Sequence, residues 1–167
     1  MKLEVVITSI VTLLGAGIGS WIAIKGNFNL YNKQTKSSEM KTNYILKRNL
    51  RGIDQKLERL IFFNEAMENG DFQDFEVEAD FASDIEKIES FISNIDSLDY
   101  HNFSMSYIKD LQELLHFLDR VMEECKTNIK YHGMEEFSTA NIESKSKSAQ
   151  SMCREVIAMI DKEILKK

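Results

Sequence analysis

Apolar residues in this chain form one unbroken run followed by four periodic stripes. No charged residue occurs from Val5 to Ile24, VVITSIVTLLGAGIGSWIAI. At about 1.5 Å per residue, a helix of that length matches the roughly 30 Å hydrocarbon core of a bilayer. The run therefore predicts a single transmembrane helix. Downstream, apolar residues recur at alternating spacings of three and four. The first such stripe is Leu46, Leu50, Ile53, Leu57 and Leu60; the second is Phe81, Ile85, Ile88, Ile92 and Ile95. The third runs through Ile108, Leu111, Leu115, Leu118, Met122, Cys125 and Ile129. The fourth takes Ala149, Met152, Val156, Met159 and Glu163, widened by Ile160 and Ile164. That spacing puts each set on one face of an α-helix.

Breaks fall between the stripes for local reasons. Gly70, after Glu68-Asn69, suits a helix C-terminus. The stretch Ser97 to Ser104 is polar, and Asn102 or Ser104 can cap the helix that follows. His132-Gly133 ends the third stripe, and Ser138-Thr139 can start the fourth. The spacing predicts helices over about 39–68, 74–97, 104–131 and 139–165. The chain has no proline, and its seven glycines fall almost entirely outside the stripes, which disfavours a turn-rich sandwich or barrel. The expectation is an all-α protein: an N-terminal single transmembrane helix followed by an antiparallel four-helix bundle with coiled-coil-like packing. A longer coiled coil, or a bundle completed by a second chain, would use the same three-four seam. Residues 1–25 read as the anchor, 26–38 as a basic juxtamembrane linker and 39–167 as the bundle.

A cleaved secretory signal is the alternative for the N-terminus, but the apolar run continues past Gly15 and Gly19 to Trp21, an interfacial aromatic, and ends before Lys25. Cations decide the orientation. Lys2 stands on one side of the run, whereas Lys25, Lys33, Lys36, Lys41, Lys47, Arg48 and Arg51 follow it, placing the N-terminus outside and the bundle in the cytoplasm of the cell. Two cysteines, Cys125 and Cys153, make no disulfide framework and fit a reducing compartment. Within the run Gly15, Gly19 and Ala23 recur every fourth residue, the small-residue spacing that lets two membrane helices associate closely.

Charge is uneven along the chain. Residues 25–59 carry nine Lys or Arg against three Asp or Glu, whereas residues 60–124 carry three against seventeen. Lys25, Lys33, Lys36 and Lys41 form a basic collar suited to anionic headgroups. The acidic flank would repel DNA or RNA, so nucleic acid is not expected as a partner. It can instead pair with the bundle's own cations or meet a protein partner. The turn near Tyr100 and Phe103 is expected to return towards the headgroups. Phe72, Phe75, Met134 and Phe137 are expected together at the distal end, as a plug closing the bundle or as a docking tip.

Reaction chemistry is thin. Glu113-x-x-His116 matches half of a di-iron bundle motif, but both residues lie off the apolar stripe and no second Glu-x-x-His exists. No phosphate-binding glycine loop, nucleophile elbow or calcium loop occurs. Neither a catalytic residue, a metal site nor a cofactor is expected. The function expected from these features is a membrane-tethered interaction or regulatory module. Its partners would be the lipid bilayer and a protein partner, or a second copy of the chain. The alternative is a membrane-active effector of the lysis or abortive-infection type, whose associated spans leak through Thr8, Ser9, Thr12 and Ser20.

Overall fold

The computed structural model describes the backbone of residues 2–68, 75–131 and 140–165, and the side chains of residues 19–63, 79–127 and 141–165. Four α-helices account for nearly all of it: α1 (Lys2–Glu68), α2 (Phe75–Asp96), α3 (Ile108–Tyr131) and α4 (Ala140–Leu165). No strand occurs among the described residues. The chain divides into two compact units, Met1–Glu39 and Met40–Lys167.

In the second unit the four helices form a bundle whose register is fixed by cross-helix pairs. Lys47 pairs with Asp161 and Asp54 with Arg154, so α1 and α4 run antiparallel. Arg59 reaches Asp80 and Asp84 while Gly52 faces Phe91, so α1 and α2 do the same. Glu124 pairs with Lys145, while Asp110 and Glu113 face Met152 and Glu155, so α3 and α4 are antiparallel too. The hydroxyl of Tyr107, just before α3, donates to buried Asn43 Oδ1 at the corresponding end of α1. These pairings give an up-down-up-down bundle.

The first two stripes supply the core as their spacing predicts, with Leu46 to Leu60 of α1 and Phe81 to Ile95 of α2 buried; so does the third from Leu111 to Cys125, while Ile108 is half-buried and Ile129 lies outside the residues whose side chains are described. On α3 the buried face is broader than a single seam, because Leu114 and Val121 are buried beside Leu111, Leu118 and Met122. That width reflects a helix touching two neighbours at once. On α4 the face is rotated from the expected one. Ile142, Ser146, Ala149, Cys153, Val156 and Ile160 are buried, whereas Met152 and Met159 sit half-exposed at its edge. The expected stripe ran from Ala149 through Met152 and Met159, whereas the buried three-four repeat passes through Ser146, Cys153 and Ile160.

Two further differences concern helix ends. Residues 26–38, read as a linker, are helical within α1. No proline interrupts them, and Thr35 Oγ1 donates to the Tyr31 carbonyl at 3.0 Å, keeping the polar side chain folded onto the helix. The α2–α3 connection holds a short 3₁₀ turn, Tyr100–Asn102, capped by Asp99, whose side chain accepts from the His101 amide at 3.0 Å. Phe103 turns inward from it into the core and stacks edge-on against Tyr100, with ring centroids 5.0 Å apart. Asp99 thus caps the 3₁₀ turn, whereas Ser104 Oγ accepts from the Ser106 amide at 3.3 Å in the turn that leads into α3.

Both cysteines are free and buried. Burial, with Glu124 adding to it, pushes the Cys125 thiol from an ordinary 9.0 to about 12. Burial and Asp54 do the same for Cys153, against a small opposing effect of Arg154. Because the folded value lies above the ordinary one, each thiol's contribution to stability is full below pH 9. It is lost as pH climbs towards about 12. At pH 8 a disulfide-exchange reagent such as DTNB is expected to label neither cysteine of the native bundle, and to label both on unfolding in urea. Rapid reaction of either native thiol would contradict this packing.

Candidate functional site

Two surfaces stand out. The first is in the unit Met1–Glu39, where Trp21, Ile22, Ile24, Phe28, Leu30 and Tyr31 are each more than half exposed along α1. Trp21, Ile24, Phe28 and Tyr31 follow the three-four spacing of one helix face, and Ile22 and Leu30 lie off it. Apolar surface therefore extends round the helix, exposed among the described residues. Lys25 sits one turn beyond Trp21 and places its ammonium 5.0 Å from the indole centroid. That geometry is a cation–π contact.

The second surface is a groove of about 750 Å³ between α1 and α2. Consecutive turns of α1 supply Tyr44, Lys47 with Arg48, Arg51 with Gly52, and Gln55; α2 supplies Phe91. Gly52 makes the groove. A Cβ there would lie 2.6 Å from the tip of the Phe91 ring, so the aromatic sits where any other residue would carry its side chain.

Most cations of the bundle pair with a carboxylate; among the described residues Lys41, Arg120 and Lys162, together with two arginines of the groove, do not. Lys56, Arg59, Lys87, Lys109, Lys126, Lys145, Lys147 and Arg154 each lie within 4 Å of a carboxylate. Lys47 is held by Asp161. Arg48 and Arg51 are exposed, and neither has a carboxylate partner among the described residues. Two like charges one helical turn apart repel by a few tenths of a kcal/mol.

No family model matches this chain, and no curated protein or solved structure is significantly similar to it.

The residues singled out from sequence are distributed as follows. Lys25, Lys33, Lys36 and Lys41 are all exposed. Gly19 has nothing within 4 Å of where a Cβ would stand, and Ala23 is exposed. Gly15, Phe72, Phe75, Met134 and Phe137 lie outside the residues whose side chains are described. So does Val5 to Ile18 of the uncharged run. Among the described residues, no helix is long and apolar enough to cross a membrane. Glu113 and His116 are exposed on α3, and no cluster of metal-ligating side chains occurs among the described residues.

Sequence reasoning missed both the groove and a buried ion cluster. Asp84 is 1 % exposed on α2; it accepts from Lys56 Nζ at 2.7 Å and lies 2.9 Å from Arg59 Nε. Lys87 Nζ stands 3.9 Å away. A signal was present: Asp84 precedes Ile85 on the apolar side of α2, opposite the cations of α1.

Proposed function

We propose that this chain is a membrane-tethered helical interaction module. Its N-terminal run anchors it with the N-terminus outside, and its bundle binds a protein partner, or a second copy of itself, at the cytoplasmic face. The uncovered apolar segment Trp21–Tyr31 carries this reading. Left in water, side chains of this size forgo about 1.5–3 kcal/mol each relative to burial. A lipid interface would cover them and accommodate the aromatics, which favour headgroup depth. Exposed Lys25, Lys33, Lys36 and Lys41 would then meet anionic lipid at about 1 kcal/mol each.

Trp21 is the chain's single tryptophan, so its fluorescence reports this segment alone. Reconstituting the full chain into vesicles is expected to shift Trp21 emission to the blue and to make it quenchable by brominated lipid. Changing Lys33, Lys36 and Lys41 to glutamine is expected to weaken association with anionic vesicles and spare neutral ones. Emission that stays at the water-exposed position, with the chain lost from membranes on carbonate washing, would overturn the anchor. A voltage-sensitive dye separates the tether from the leaky effector. The tether leaves membrane potential unchanged and tolerates a generic leucine-rich span, whereas depolarisation by the native span alone would make the span the active part.

A further inference from the structure

We infer that the α1–α2 groove is a binding site for a phosphate-bearing ring compound of the nucleotide type. Three observations converge on that chemistry. Arg48 and Arg51 present two guanidiniums from adjacent turns of α1, free of carboxylates among the described residues, on a bundle whose other cations are mostly paired. Guanidinium groups bind phosphate through paired, charge-assisted hydrogen bonds, and a ligand carrying negative charge removes their mutual repulsion. Beside them the groove is lined by two aromatic rings from different helices, exposed Tyr44 on α1 and half-buried Phe91 on α2. Rings of that kind stack on a flat heterocycle, and Gln55 at the far end of the groove supplies an amide that can both donate to and accept from a base edge.

Size narrows the occupant further. A cavity of about 750 Å³ lies within the range of small-ligand sites. An inorganic anion would use the guanidiniums and leave the two rings and Gln55 without a role. Lys47 contributes less, because its ammonium is already held by Asp161. The seat of the Phe91 ring against Gly52 gives one wall a fixed position before any ligand arrives, which lowers the ordering cost of binding.

The test titrates ATP, GTP, CTP and UTP, with tripolyphosphate as the ringless control, into the full chain in neutral-lipid nanodiscs followed by calorimetry. At least one nucleotide is expected to bind one to one, and at least tenfold more tightly than tripolyphosphate. Arg48→Gln with Arg51→Gln is expected to weaken that binding about tenfold or more while leaving thermal unfolding in place, since both side chains are exposed. Phe91→Leu, which keeps an apolar wall without the ring, is expected to erase the preference over tripolyphosphate. The inference is overturned if none of the four nucleotides binds, if tripolyphosphate binds as well as they do, or if binding survives the double arginine variant. Each of these results leaves the membrane anchor untouched, because no lipid-facing residue is altered.

Discussion

Asp84→Ala is expected to cost the bundle about 3 kcal/mol or more, seen as a lower urea midpoint at an unchanged slope. The carboxylate is almost wholly removed from water and holds Lys56 at 2.7 Å and Arg59 at 2.9 Å. Deleting it strips Lys56 of its counter-charge and leaves Arg59 with Asp80 at 3.5 Å, while burial of the surrounding backbone stays the same. The two are not equally penalised. Arg59 is about half-exposed and can turn to solvent, whereas Lys56 is 19 % exposed and has less room to escape. Most of the cost should therefore pass through Lys56. Replacing both members of that pair, Asp84→Leu with Lys56→Met, is expected to recover much of the loss, because the bundle then buries neither charge. If Asp84→Ala moved stability by less than about 1 kcal/mol, the cluster would be a bystander of packing.

A comparable loss is expected from Leu50→Ala, about 2–5 kcal/mol. Leu50 has no exposed surface and stands midway along the buried face of α1, so the deleted carbons leave a cavity that neighbouring helices on a fixed register cannot close. Leu165→Ala supplies the internal control. That side chain is 86 % exposed at the end of α4, and its removal is expected to shift stability by no more than about 0.5 kcal/mol. Urea unfolding of the two variants beside the native chain checks both. Similar costs at the two positions would mean that the core is not where this packing places it.

Helix number, polarity of packing and most of the core were legible because they depend on the repeat of apolar residues, a property of the chain itself. Leu46 to Leu60 and Phe81 to Ile95 needed no knowledge of their neighbours to be placed inside. What escaped depends on pairs distant in sequence. Asn43 and Tyr107 are separated by most of two helices, and only the folded bundle makes them partners. Asp84 read as one more acid in an acidic stretch until α1 brought Lys56 and Arg59 to it. The rotation of α4 escaped for a different reason: from Ala149 a three-four repeat can run through Met152 and Met159 or through Cys153 and Ile160, and spacing within the helix does not choose between them. The groove was invisible because its defining residue, Gly52, is informative only for what lies opposite it. Tyr44, Arg48 and Arg51 gave a partial signal as an aromatic and two cations on successive turns, but the basic character of the whole region hid it.

The notch at Gly52 also bears on mechanics. Packed helices can slip past each other by a whole turn, about 5.4 Å, as one way of passing a displacement along. Here such a slip would bring Arg48 or Lys56 opposite the Phe91 ring in place of glycine, and neither leaves room for it. The ring therefore acts as a detent against axial sliding of α1 over α2.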